Sequence, residues 1–153
     1  MAGRDERKLL GMSKDDTILL AHGGGGELTH RLLKETILPK LSNPPLDPLL
    51  DSAILDNPGG RICLTTDSYV VQPLQFPGGD IGRLAVCGTV NDLSVMGAEP
   101  LGLSLGLIIE EGMMLSTLSA IVGSIADASN EAGVPIVTGD TKVVERRGGD
   151  GLM

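Results

Sequence analysis

Aromatic side chains are almost absent from this chain. Tyr69 and Phe76 are the only two, tryptophan is missing altogether, and aromatics make up 1% of 153 residues. Recognition of single-stranded nucleic acid by base stacking needs several such rings, so that class is excluded. Cysteine is nearly as scarce. Cys63 and Cys87 form no Cys-x-x-Cys pattern and read as two buried or partly buried thiols of a reducing compartment. Basic charge is in deficit: the net charge of −8 disfavours nonspecific binding to DNA or to an anionic membrane. No apolar run is long enough to span a bilayer. The charged start Met1-Ala2-Gly3-Arg4-Asp5-Glu6 lacks the apolar core of a signal peptide. A cytoplasmic protein with neither nucleic-acid nor membrane partners is expected.

Two common phosphate-binding motifs are also missing. There is no G-x-x-x-x-G-K-[ST], and the run from Gly23 places Leu28 where G-x-G-x-x-G needs its third glycine. A serine-hydrolase pattern is present only superficially. His22-Gly23-Gly24-Gly25 resembles an esterase oxyanion loop and Gly102-Leu103-Ser104-Leu105-Gly106 fits G-x-S-x-G. The elbow needs a helix directly after the serine, yet Leu107-Ile108-Ile109-Glu110 continues an extended pattern. Both histidines, His22 and His30, precede the serine, whereas the triad needs one after it.

What remains is a glycine loop and a set of acids. Gly23, Gly24, Gly25 and Gly26 stand just before a helical stretch, where bare backbone N–H groups can face a phosphate. Asp51, Asp67, Asp92 and Asp140 follow at predicted strand and helix ends, and carboxylates of this kind hold the magnesium that phosphate brings. None is specific alone. Asp67 lies in a predicted strand, where an unpaired carboxylate is costly to bury. Lys142, two residues beyond Asp140, shares its side of a strand.

The core must be aliphatic, since hydrophobic residues make up 41% of the chain. Residues 1–16 are polar and expected to be loosely ordered, ahead of one domain over 17–153. The apolar Thr17–Ala21 leads into the glycines. Glu27–Leu38 predicts a helix with Leu28, Leu32, Leu33 and Ile37 on one face, ended by Pro39. Strands are predicted at Asp51–Asp56 and Arg61–Val71, around the turn Asn57-Pro58-Gly59-Gly60. Asp80 is the expected N-cap of a helix reaching about Ala98, stacked on Ile81, Leu84, Ala85 and Gly88. Leu101–Glu110 is the clearest strand, with Leu101, Leu103, Leu105, Leu107 and Ile109 on one face and Gly102, Ser104 and Gly106 on the other. A helix over Leu115–Ala132, capped by Gly133, precedes a last strand over Val134–Val144. The order α-β-β-α-β-α-β predicts an α+β fold of α/β type, a four-stranded mixed sheet with helices on one face. The loop from Arg146 opens a new apolar stretch at Leu152-Met153, so a piece of a longer protein is expected.

Five blocks carry a family resemblance: His22–Gly26, Thr65-Thr66-Asp67-Ser68-Tyr69-Val70-Val71, Phe76-Pro77-Gly78-Gly79-Asp80-Ile81-Gly82, Gly88-Thr89-Val90-Asn91-Asp92-Leu93 through Gly97-Ala98, and Gly139-Asp140-Thr141-Lys142-Val143-Val144. They resemble the HypE family of hydrogenase maturation proteins, within the aminoimidazole ribonucleotide synthetase superfamily. The Phe-Pro-Gly-Gly-Asp-Ile-Gly and Thr-Lys-Val-Val pieces favour HypE over its cousins. Gly24 stands where the family pattern has serine.

The resemblance implies the N-terminal domain of that fold, dimerising through its sheet. It implies an ATP-dependent dehydratase that converts a carboxamide on its own C-terminal cysteine to a thiocyanate, for the cyanide ligands of [NiFe] hydrogenase. ATP and Mg2+ are the implied cofactors; a second copy, the carbamoyltransferase HypF and a HypC–HypD complex are the implied partners. Carried over by position, Gly23 to Gly26, Thr66, Asn91 and Asp140 serve the nucleotide. Asp51, Asp67 and Asp92 serve the metal, and Lys142 stands near the reacting group. The C-terminal domain with its terminal cysteine is not in this chain, so residues 1–153 alone are expected to be inactive. Two other readings stay open: a selenophosphate synthetase or thiamine-monophosphate kinase relative, and a non-catalytic dimerisation module.

Overall fold

The computed structural model describes Ile18, residues 20–145 and residues 151–153. The expected loose segment 1–16 and the loop from Arg146 to Asp150 lie outside the described residues. The chain divides into two compact units, residues 1–49 and Leu50–Met153.

In the first unit a short 3-10 turn, Leu20–Gly23, leads through the glycines into α1, Glu27–Leu32. A π-helical turn, Leu33–Ile37, follows, and then α2, Leu38–Leu41. Pro39 therefore does not end the helix. A proline lacks an N–H and its ring clashes with the carbonyl four residues back. The wider π turn just before it removes that conflict, and Pro39 falls in the first turn of α2, where its missing donor costs nothing. The predicted apolar face of Leu28, Leu32, Leu33 and Ile37 is half-buried throughout, and neither α1, the π turn nor α2 contains a buried residue.

The second unit begins with an antiparallel hairpin, β1 (Ala53–Asn57) and β2 (Gly60–Leu64), paired from Ala53 with Leu64 to Asn57 with Gly60. The second strand stops at Leu64. Residues 65–71 run on without a ladder partner, so the strand expected to reach Val71 is seven residues shorter than its β-branched composition suggested. A two-residue ribbon, β3 (Gln75–Phe76) with β4 (Gly79–Asp80), opens the helix α3, Ile81–Val95. Asp80 caps it as expected, its Oδ1 accepting from the Arg83 N–H at 2.9 Å. The strand β5 (Leu103–Glu110), the helix α4 (Leu115–Ala132) and the strand β6 (Ile136–Val144) form a parallel βαβ unit. Gly133 ends α4 in the left-handed conformation, at φ 69°.

Among the described residues the strands pair as three two-stranded sheets, not as one four-stranded sheet. The free edge of β5 is taken by the chain's own last residues. Ile108 and Met153 exchange backbone hydrogen bonds of 2.9 Å, and the Glu110 N–H donates to the Gly151 carbonyl at 2.8 Å. Leu152, with 4% of its surface exposed, drops from that pairing into the core. By contrast β6 pairs, among the described residues, only with β5, and each of its residues after Ile136 is exposed.

The core is aliphatic, as the composition required. Ile81 and Val86 of α3, Leu103 of β5, Ile121, Ile125 and Ala128 of α4, Val134 and Leu152 form one cluster. The alternation read in β5 holds from Leu103 to Ile109: Leu103 is buried and Leu105, Leu107 and Ile109 are half-buried, while Ser104, Gly106 and Ile108 are exposed. The strand begins at Leu103, so Leu101, expected on the apolar face, lies outside it and is 86% exposed. The buried face of α3 is Ile81, Gly82, Val86 and Leu93, with Leu84 turned outward at 38% exposure. Gly82 is on that face because α4 crosses there. A Cβ on Gly82 would lie 2.6 Å from the Ile121 carbonyl oxygen and 2.9 Å from Ile125 Cγ1. The Arg83 guanidinium and Glu131 carboxylate, 2.8 Å apart, tie the same two helices at the surface.

Gly82→Ala should therefore destabilise the second unit by about 1–3 kcal/mol, the usual cost of overpacking a tight contact. Gly123→Ala on α4, where an added Cβ meets nothing within 4 Å, should leave it unchanged or slightly more stable. Urea midpoints of the two variants check this; equal midpoints would contradict the close crossing.

Candidate functional site

The hairpin ends over α3, and that places the acids. Ala53 is paired with Leu64, so Asp51 and Ser52 leave one strand beside Thr65 leaving the other. The Ser52 hydroxyl, 2% exposed, donates to the Asp92 carbonyl at 3.2 Å. The Thr65 hydroxyl lies 2.9 Å from the Asp51 carbonyl oxygen and 3.2 Å from Asp92 Oδ2. These contacts fix the base of the hairpin to the last turn of α3.

Asp67 follows in the unpaired segment. It is exposed and belongs to no strand, so its expected place within one is corrected: the ladder ends at Leu64. Its Oδ2 instead accepts the Tyr69 hydroxyl at 2.6 Å, a charge-assisted length. Half-buried Asp92 has its pKa raised, first by desolvation, then by the charge of Asp67, with Asp51 adding further repulsion. The Thr65 hydrogen bond opposes the rise, and Asp67 is close enough to share a hydrogen bond with Asp92. Three of the predicted acids, Asp51, Asp67 and Asp92, are thus brought into one electrostatic neighbourhood.

They do not form a finished cage. Among the described residues no group of three His, Cys, Asp or Glu side chains is arranged to hold a metal ion. The donor set still suits magnesium. All three are hard oxygen donors, with the charges of Asp67 and Asp51 acting against Asp92, and Mg2+ takes one or two carboxylates, waters and substrate phosphates rather than an all-protein cage.

The other predicted residues fall elsewhere. Thr66 and Asn91 are exposed, Thr66 on the segment of Asp67 and Asn91 on α3 beside Asp92. Asp140 and Lys142 lie within β6, 68% and 67% exposed, and are bound to each other: Lys142 Nζ is 2.8 Å from Asp140 Oδ1 and 2.6 Å from Oδ2. The strand alternation that put them on one side is borne out. Gly23 to Gly26 belong to the first unit and are exposed. Gly25, at φ 72°, is the one whose conformation demands glycine, and Gly26 stands at the N-cap of α1. Cys87, expected to be at least partly buried, is exposed on α3; Cys63 is half-buried.

An open cleft of about 780 Å³ adjoins the acids, its walls including Thr66, Asp67, Tyr69, Thr89, Leu105 and Ile125. Tyr69 is the functional neighbour that the sequence reading left without a role. Its pKa is pushed up to about 12, first by burial and then by its hydrogen bond to Asp67, while Thr89 works in the opposite direction. The available signal was positional: in an extended segment Asp67 and Tyr69, two apart, share a side.

Residues 50–152 match the family described as AIR synthase related protein, N-terminal domain. The chain belongs to that family. Within it, the chain is 50% identical over 142 residues to carbamoyl dehydratase HypE of Rhodobacter capsulatus, covering 92% of this chain and 42% of that protein. It is 48% identical over 143 residues to carbamoyl dehydratase HypE of Escherichia coli K12, covering 90% of this chain and 43% of that protein. The chain thus spans about two fifths of the length of these relatives. Two solved structures agree: a HypE–HypF complex (TM-score 0.72, 51% identity, 79% of this chain and 39% of that one) and HypE in complex with ATP (TM-score 0.55, 49% identity, 89% and 40%). AaThiL complexed with AMPPCP and TMP, at TM-score 0.67 and 19% identity over 86% of this chain and 41% of that one, shares the fold.

Because Tyr69 is the only tyrosine and there is no tryptophan, its ionisation can be followed alone in the near-ultraviolet. The midpoint should stand near 12 rather than the ordinary 10. Asp67→Asn should lower it while leaving it above the ordinary value, since burial remains. A folded-state pKa above the unfolded one gives stability that is fully present below about pH 10 and is lost as pH rises through about 12. An ordinary midpoint in the native protein would refute the Tyr69–Asp67 contact.

Proposed function

We propose that this chain is the nucleotide-binding part of a carbamoyl dehydratase that acts in hydrogenase maturation. The observation that carries this reading is the crowding of Asp51, Asp67 and Asp92 at the base of the hairpin, where burial and like charge hold the Asp92 carboxyl above its usual range. Such a site is stabilised by a divalent cation and by the phosphates that come with it. The similarity to proteins named carbamoyl dehydratase HypE, and to a HypE solved with ATP, supplies the chemistry.

In this reading ATP phosphorylates the carboxamide oxygen of a cysteine S-carboxamide. Loss of phosphate and of both amide protons then leaves the thiocyanate, with ADP and phosphate as co-products. Magnesium supplies charge neutralisation on the phosphates. Asp51, Asp67 and Asp92 provide its protein oxygens. Thr66, Asn91 and Asp140 orient the nucleotide, and Gly23 to Gly26 offer backbone donors. Lys142, now held by Asp140, turns to the reacting group when phosphate competes for it. HypF, HypC–HypD and a second copy of the chain are the partners. A cytoplasmic location belongs to the same reading. No helix among the described residues is long and apolar enough to cross a membrane. The exposed apolar side chains Leu64, Val70, Leu101, Val137 and Val143 support self-association. The fold shared with AaThiL says nothing of chemistry at 19% identity, so a phosphotransferase role has no separate support.

Asp67→Asn and Asp92→Asn should each weaken Mg2+-dependent ATP binding by about 10- to 100-fold, as calorimetry reads it, without lowering the melting temperature. Unchanged affinity in both variants would end this assignment. Residues 1–153 without the cysteine substrate should hydrolyse ATP only at background, because a positioned reactant supplies much of the acceleration. Light scattering at micromolar concentration should give the mass of a dimer; a stable monomer would remove self-association from the proposal.

A further inference from the structure

Asp67 has no regular structure to hold it. It is exposed, and residues 65–71 belong to no ladder. The side-chain hydrogen bond from the Tyr69 hydroxyl, at 2.6 Å, is its anchor. Tyr69 is in turn seated on α3. A Cβ built on Gly88 would collide with the Tyr69 hydroxyl oxygen and lie 2.9 Å from Cζ, so the phenol end occupies the space a side chain would take. Gly88 is four residues before Asp92, one turn of the same helix, so both stand on one face of α3. The hydroxyl that binds Asp67 is thereby located against the helix that carries Asp92.

We propose that Tyr69 is a positioning residue of the acidic site: its hydroxyl, lodged in the notch that Gly88 leaves on α3, sets the spacing between the Asp67 and Asp92 carboxylates. The inference rests on the reading above that these acids receive a divalent cation with ATP. Tyr69 itself does not ligate. By donating to one oxygen of Asp67 it holds that carboxylate beside Asp92, with which Asp67 is close enough to share a hydrogen bond, the outer-shell role that in metal sites changes affinity about 10- to 100-fold. It also explains why residue 88 is glycine, where an alanine would favour the helix by up to roughly 1 kcal/mol.

The test is Mn2+ titration of the chain in the presence of ATP, read by the paramagnetic signal of free Mn2+. It is run on the wild type and on Asp67→Asn, Tyr69→Phe, Gly88→Ala and Gly123→Ala. Tyr69→Phe should weaken Mn2+ binding about 10-fold while metal-free ATP binding and the melting temperature stay as they were. Gly88→Ala, which displaces the hydroxyl without removing it, should do the same, and Gly123→Ala should change nothing. The near-ultraviolet spectrum of the single tyrosine should shift in Asp67→Asn and in Gly88→Ala. If Tyr69→Phe binds Mn2+ like the wild type while Asp67→Asn does not, the positioning role is overturned and the metal assignment stands. A wild type without Mn2+ binding, or an Asp67→Asn with full binding, overturns the metal assignment itself. A tyrosine spectrum unmoved by Asp67→Asn removes the anchor and with it this inference. Should Gly88→Ala fail to fold, Tyr69→Phe and the spectrum still decide.

Discussion

The close crossing of α3 on α4 at Gly82 is the contact on which the second unit depends. It brings Ile81 and Val86 against Ile121 and Ile125 and fills the aliphatic core from the helix side. With few aromatics to provide bulk, the core gains density from backbone approach instead, which only a missing Cβ permits. The same helix then presents its other end to the hairpin. Asp80 caps its start, Gly88 receives Tyr69 and Asp92 receives Ser52 and Thr65. One rigid rod therefore links packing at its N-terminal end to electrostatics at its C-terminal end.

The acids crowd together without a partner cation at Asp92 among the contacts described. Asp92 is disfavoured as an anion by burial, by Asp67 and by Asp51, yet the structure supplies hydroxyls around it rather than a compensating base. Elsewhere in the unit a lysine and an aspartate do neutralise each other, on β6. That contrast separates the two groups of predicted residues. The cluster at the hairpin base has charge left to offer a cation. The exposed Asp140–Lys142 pair has already satisfied itself, at a small gain in a solvated setting.

Much of this was legible in the chain. Helix α4 runs over the residues its periodicity gave, from Leu115 to Ala132, because a long amphipathic stretch with a glycine stop leaves little choice. The alternation of β5 and the Asp80 cap were equally plain, since each rests on local geometry. What failed needed knowledge of neighbours. Thr65 to Val71 has strand composition, but a strand exists only where a ladder partner does, and none is present beyond Leu64. Pro39 was read as a stop because the compensating π turn is invisible in composition. The acids were found by type and position, whereas the contact between Tyr69 and the notch at Gly88 joins residues that only folding brings together.

The exposed strand β6 has a consequence of a different kind. Among the described residues it has one paired edge, one bare edge, and three outward valines, Val137, Val143 and Val144. A bare ladder edge of β-branched residues is a template for any extended chain in solution, and natural proteins guard such edges with charge. Asp140 and Lys142 are the charges at hand in the middle of this one. By neutralising each other they leave the strand without a net repulsive charge there, so the pair is a weak gatekeeper against misassembly. Colloidal behaviour is thus tied to two side chains, and conditions that part them, such as high ionic strength, change how well the edge is guarded.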